Sequence, residues 1–407
     1  MADEPVSRSV AVERLLELRA RHEPVAADSV ALSRVGGRVL AESVRAPADV
    51  PAHDRATMDG FAFASGDGYP LTVVDEVFPE DEPPSIDRGE AVAVATGAPL
   101  PAAADAVLMR EHATVEDGRL SGPSLSPGTH VSPAGTTATA GERLFTAGQR
   151  LAPRHATLLR DVGVETVTVH RRFDVGILAS GTEICEGRQP DRDSEMLCNL
   201  VRGWGHEPTV REPVPDDETV VREAVEDAVE NYDVVVTTGG TSVGRADHVV
   251  RALREHDVHF RGVDVRPGRP VTVATVEGTP VFALPGKPVA AHTAATLLLR
   301  PFLTGRSRLP TITADITSRV TLPEDDTEFA IPVTFDEVTD DSDDDAAGSR
   351  ATPLGHADSS LRIYDERFAP GRVASNTRIS LADGLLVTRE AVDEGNRVAV
   401  VPYEVVE

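Results

Sequence analysis

The sequence predicts an α/β plus β protein of several domains, and three observations carry that expectation. From Phe173 to about residue 301, short apolar runs alternate with segments of helical spacing, the rhythm of an open parallel sheet with helices on both faces. Residues 45–148 change instead to short β-like runs punctuated by Pro and Gly, set between helical pieces. A chain of 407 residues also exceeds one ordinary core, so two to four domains are expected.

Each element follows from its local pattern. Residues 10–22 repeat apolar side chains at helical spacing, and residues 29–42 repeat it through Leu32, Val35, Val39 and Leu40. Pro47 and Pro51 end this helical opening. Leu71–Val74, Ala91–Ala95 and Ala106–Met109 are the strands expected in the inserted region. Helix returns over Ala156–Val162, followed by a strand over Val164–Val169. The α/β portion should hold strands at Val175–Ala179, Val234–Thr238, Val271–Val276 and Val281–Leu284, with helices over 194–203, 217–230, 246–255 and 288–301. Past Pro310 short strands resume and the last hundred residues read as a small β domain, interrupted by a solvated acidic loop, Asp340–Asp345.

Charge and composition exclude several functions. The net charge is −27, and Lys occurs only at 287, every other cation being Arg. Such a surface suits high salt, or reflects a genome that favours Arg codons. At ~1 M salt the Debye length is about 3 Å, so only groups touching a ligand would steer it. No basic stripe offsets the acid, which argues against nucleic acid. No apolar run reaches the ~18 residues of a membrane span, and the N-terminus lacks an apolar signal core, which points to the cytoplasm. Cys185 and Cys198 make neither a disulfide framework nor a zinc site, and read as buried or idle thiols.

The most informative stretch is Tyr232–Val250, where a wholly apolar strand runs into a glycine loop and then a helical segment. Gly239, Gly240 and Gly244, with Thr241 and Ser242 between them, let backbone N–H groups close on an anion. The spacing imitates a nucleotide-binding P-loop, but Arg245 and Ala246 stand where Lys and Ser/Thr should follow. Asp247, in the same turn, suggests a metal bridging carboxylate and phosphate, or an acid/base group.

Ligands of open α/β sheets lie beyond the carboxyl ends of the strands. At the expected ends stand Ser180, Gly181, Thr182 and Glu183; the glycine loop with Asp247; Arg266–Pro270 (R-P-G-R-P); and Pro285–Pro288 (P-G-K-P). Lys287, in a chain otherwise using Arg, reads as a compact point charge for an anion, against the bland reading of a stray surface lysine. A second set lies in the inserted region, in Pro51–Ala62 and Thr96–Pro101. There Asp59–Gly60 alone reads as an ordinary turn.

Together these segments resemble the molybdopterin molybdenumtransferase family, MoeA and the gephyrin E domain. The resemblance rests on T-M-D-G-F-A (57–62), T-G-A-P-L-P (96–101), G-T-E-I (181–184), T-G-G-T-S-V-G-R-A-D (238–247), R-P-G-R-P and L-P-G-K-P, in that order along nearly the whole chain. It implies four domains: a helical linker domain (1–44 with 149–172), an inserted β-rich domain (45–148), a doubly wound molybdopterin-binding α/β domain (173–308) and a C-terminal β-barrel (309–407). It also implies a homodimer whose active site lies between the α/β domain of one subunit and the inserted domain of the other.

The implied reaction inserts molybdate or tungstate into adenylated molybdopterin and releases AMP with Mg²⁺ present. Asp59, Glu183 and Asp247 would be catalytic. Glu183, Asp247 and Asp216 (or its neighbour Asp217) would serve the metal. Thr96, Gly239, Gly240, Thr241, Ser242, Gly244, Arg266, Arg269, Pro285, Gly286 and Lys287 would bind substrate, the arginines standing where the family has lysines.

Departures accompany the match. Thr137 stands where the family has a functional Asp, Lys287 and Asp193 where it has Asn, Thr182 where it has an acid, and Ala103 where it commonly has Gly. Thr137 and Lys287 motivate a second reading, a binding or carrier protein that holds the pterin without turning it over. A third, adenylation of molybdopterin from ATP, is opposed by the inserted and C-terminal domains, which the α/β fold would not need for that task.

Overall fold

The computed structural model describes residues 4–22, 27–239, 248–323, 326–336 and 349–407. The chain forms two compact units, one of Met1–Pro24 with Arg172–Glu407 and one of Val25–Arg171.

In the first unit a six-stranded sheet has the order Glu207–Val210, Asp174–Ala179, Val234–Thr238, Thr279–Leu284, Thr272–Val276, Asp257–Arg261. Successive residues send their side chains to opposite faces, as a strand requires. Val234, Val236 and Ile177 enter one core with Leu197, Leu200 and Phe302. Val235 and Leu178 enter the other with Val221, Val225 and Leu253. Helices Ser194–Gly203 and Pro288–Ala294 serve the first face, Glu218–Asn231 and His248–Leu253 the second. Both faces are dry, hence the continuous apolar strands in the sequence. Helix Arg8–His22 buries Ala11, Leu15 and Leu18 in the first core beside Phe173 and Phe302.

Two expectations are corrected. The sheet is mixed: its first four strands run parallel, but Thr272–Val276 pairs antiparallel with Thr279–Leu284, and Asp257–Arg261 antiparallel with Thr272–Val276. Only two residues separate Thr272–Val276 from Thr279–Leu284, room for a hairpin and not for a crossover helix. Residues 29–42 are not a helix. Ala27–Ala31 is a strand paired antiparallel with Thr166–His170, followed by a single 3-10 turn, Leu32–Arg34. Val30, Leu32, Val35 and Leu40 do meet in one core, with Leu159 and Val167. The helical period was thus an accident of residues that reach one core by different backbone paths, with Gly36 and Gly37 breaking the run.

The second unit is built on a sheet ordered Ala106–Met109, Gly60–Phe63, Glu90–Val94, Leu71–Val77, Arg119–Ser121, Thr114–Glu116. Gly60 sits where its strand meets Ala106–Met109, and a Cβ there would lie 2.0 Å from the Leu108 carbonyl oxygen. The C-terminal segment closes a five-stranded barrel, because Glu328–Phe335 pairs with both Ser349–Pro353 and Gly384–Thr388. Phe329, Ile331, Phe368 and Val400 fill it. The acidic run Asp340–Asp345 lies outside the described residues. Among the described residues no helix is long and apolar enough to cross a membrane. Cys185 is exposed and Cys198 half-buried, and both are free.

Candidate active site

The parallel strands end together, Ala179 beside Thr238 and Thr238 beside Leu284. Beyond these ends opens a cleft of about 330 Å³ lined by Ser180, Glu183, Asp193, Asp216, Thr238, Gly239, Pro285, Gly286 and Lys287, among others. Pro270, Pro285 and Lys287 also line an adjoining cleft of about 730 Å³, which contains Arg266, Gly268 and Arg269. The R-P-G-R-P turn precedes its strand, so in a wholly parallel sheet it would lie at the far edge. The antiparallel Thr272–Val276 strand starts beside Ala283 and brings that turn to this rim.

Two glycine turns shape the cleft floor. Gly239 has φ +89°, the left-handed region, and a Cβ on it would lie 2.2 Å from the Ser180 carbonyl oxygen. A Cβ on Gly286 would lie 2.8 Å from the Gly239 Cα. The two backbones therefore touch, which only glycine permits. Gly240, Thr241, Ser242, Gly244 and Asp247 lie outside the described residues.

The acids divide by role. Glu183 lies in the first turn of the short helix Thr182–Cys185 that follows its strand, half-buried in the cleft wall. Asp216 accepts from the Ser180 hydroxyl at 3.2 Å and from the Thr182 N–H at 3.2 Å, while its own N–H donates to Thr182 Oγ1 at 3.0 Å. Asp217 instead caps helix Glu218–Asn231, accepting from the Thr219 and Val220 N–H groups. Of this pair, only Asp216 lines the cleft. Lys287 is exposed at the helix start Pro288–Ala294, its side chain unused as a cap. Arg269 lies 3.5 Å from Asp264, which offsets part of its charge.

Asp193, marked in the sequence only as standing where the family has Asn and given no role there, lines the cleft. It is 6% exposed, and Thr238 Oγ1 donates to its Oδ2 at 2.9 Å. Burial pushes its carboxyl above the usual carboxylate range, with the Thr238 hydrogen bond opposing.

In the second unit the structure joins the other two expected residues. Asp59 Oδ1 accepts from both the N–H and the hydroxyl of Thr96, each at 2.7 Å. These bonds hold the exposed Asp59 carboxyl below its ordinary range, and Arg110 adds a little. Asp59 therefore stays charged until the pH falls through that lowered value. Thr96→Val should raise the Asp59 midpoint in an NMR pH titration while the backbone bond keeps it from returning fully; an unmoved midpoint would show that the hydroxyl has no such influence. Near Thr137 the turn is tied by other acids, Asp54 accepting from the Ala134 N–H and Asp49 from the Ala140 N–H, each at 2.7 Å.

Among the described residues no three His, Cys, Asp or Glu side chains gather as a ready metal cage. Magnesium does not require one. It keeps several waters and takes one or two carboxylates together with substrate phosphates, and Glu183 and Asp216 on one cleft wall fit that demand.

Comparison with known proteins adds the identity of this arrangement. Residues 7–163 match the "MoeA N-terminal region (domain I and II)" and residues 176–305 the "Probable molybdopterin binding domain". The molybdopterin molybdenumtransferase of Synechococcus elongatus is 32% identical over 322 residues, 73% of this chain and 80% of that protein. The chain belongs to the molybdopterin molybdenumtransferase family. The Staphylococcus aureus member is 29% identical over 316 residues, 73% of this chain and 75% of its own. The molybdopterin biosynthesis MoeA protein of Pyrococcus horikoshii superposes with a TM-score of 0.80 at 28% identity, over 98% of this chain and 99% of that one. The family match spans both units, and the barrel is covered by the structural likeness.

Proposed function

We propose that this chain inserts molybdate or tungstate into adenylated molybdopterin and releases AMP with Mg²⁺ present. The observation that carries this reading is the convergence of Glu183, Asp216, Lys287 and the paired glycine turns on one cleft at the strand ends. Cleaving a phosphoanhydride depends chiefly on holding charge in place. Lys287, with Arg266 and Arg269 in the adjoining cleft, supplies fixed positive charge for phosphate and for the oxyanion substrate. Glu183 and Asp216 would hold magnesium, whose contribution is to neutralise charge on the phosphate oxygens. The glycine turns let backbone come close to the ligand, and Asp216 is held in place by Ser180 and Thr182. The metal-binding sulfurs belong to the pterin, so this chemistry asks for no Cys or His cage.

We propose further that the chain acts as a homodimer in the cytoplasm, with Asp59 and Thr96 of one subunit serving the cleft of the other. The decisive experiment gives purified protein adenylated molybdopterin, Mg²⁺ and each oxyanion, and follows AMP and the metal-loaded pterin. Oxyanion-dependent AMP release is the expected result. Tight pterin binding with no AMP at any salt concentration would replace this reading with that of a carrier. Mixing Asp59→Asn with Glu183→Gln protein should restore part of the activity if subunits share sites; no recovery after subunit exchange would rule sharing out.

A further inference from the structure

Asp193 is built into the cleft in a way the reaction so far leaves unused. Its position is fixed on three sides. Its own N–H and that of Ser194 donate to Asp191 Oδ1, each at 3.1 Å. Its carbonyl accepts from the Leu197 N–H at 2.8 Å, in the first turn of helix Ser194–Gly203. Thr238, 3% exposed at the end of its strand, holds Oδ2. The rotamer is thereby set, and Oδ1 is left buried without a hydrogen-bond partner among the described residues. A buried carboxyl oxygen is seldom left unpaired without a reason. Here the residue lines the same cleft as Glu183, Gly239 and Lys287.

We propose that Asp193 reads the bound heterocycle, its Oδ1 accepting a hydrogen bond from the exocyclic amino N–H on the edge of a fused nitrogen ring. An N–H donor suits the position better than a hydrated cation does. The oxygen is single, since its twin is engaged by Thr238, and it is enclosed, so a cation could not bring its shell of waters to it. A neutral N–H satisfies the oxygen at once and needs no further charge. The inference rests on the proposed function of this cleft and adds to it the group that selects the ring. Both the pterin and the adenine of the adenylated substrate carry such an edge, and the test separates them.

Binding is measured by calorimetry to wild-type protein, Asp193→Leu and Asp193→Asn, with molybdopterin and with AMP as separate probes. Each ring is paired with an analogue whose amino group is replaced by oxygen: 6-hydroxymethylpterin against 6-hydroxymethyllumazine, and AMP against inosine monophosphate. Asp193→Leu should weaken the recognised probe roughly tenfold or more, the loss typical of one buried hydrogen bond. Asp193→Asn should recover most of it, since an amide can donate to Thr238 Oγ1 and still offer its oxygen to the ring. Wild-type protein should prefer the amino-bearing member of one pair, and Asp193→Leu should lose that preference, a change that mere structural damage would not produce. The pair that discriminates identifies the ring. If the Leu variant binds as wild type does, or loses affinity for both members of each pair equally, the inference fails while the proposed function stands. If wild-type protein binds neither molybdopterin nor AMP, the functional reading fails and this inference with it.

Discussion

Glu183→Gln should reduce AMP release from adenylated molybdopterin by about a hundredfold or more while leaving pterin affinity within a few-fold. The glutamine keeps the size and one carbonyl oxygen, so the cleft wall and the short helix Thr182–Cys185 should be preserved. What disappears is a negative oxygen that, in the proposed function, would hold magnesium. Groups of this kind act on charge that develops in the transition state, and losing one typically costs two to three orders of magnitude in turnover. Steady-state AMP release and a separate pterin titration measure the two quantities. Loss of binding and turnover to the same extent would show that Glu183 shapes the site and does not take part in its chemistry.

The second large effect is on the backbone. Gly239→Ala should destabilise the protein by about 3 kcal/mol and abolish ligand binding, the combined result of a left-handed φ and a collision with backbone. Its new Cβ would sit 2.2 Å from the Ser180 carbonyl oxygen, between two strand ends that cannot separate without disturbing the sheet. Gly278 provides the control. It has the same φ, +89°, but a Cβ there meets nothing within 4 Å. Gly278→Ala should therefore show only the conformational part, about 1–2 kcal/mol. Equal urea midpoints for the two variants would mean that close approach at Gly239 contributes nothing.

Much of this candidate site is legible in the sequence. Glu183, Gly239, Pro285, Gly286 and Lys287 sit directly after apolar strands in a region whose rhythm marks a layered α/β fold. The topology of such sheets then puts strand ends on one rim. Asp216 and Asp217 were indistinguishable by pattern. Their separation depends on which carboxylate caps a helix and which turns to Ser180 and Thr182. Residues 29–42 misled because helical spacing records only which side chains are apolar. The partner strand Thr166–His170 lies far along the chain and leaves no local trace.

The sequence by itself determined the family, the alternation of strands and helices and the residue types at the rim, since these depend on short-range pattern and on motifs kept in order. Only the tertiary structure decided that Thr272–Val276 runs antiparallel, delivering Arg266 and Arg269 to the rim, and that Gly239 and Gly286 touch. It alone showed one oxygen of Asp193 held by Thr238 and the other enclosed and without a partner among the described residues. Strand direction, close contact and burial are set by chain segments tens of residues apart, and their energies become visible only once those segments have met.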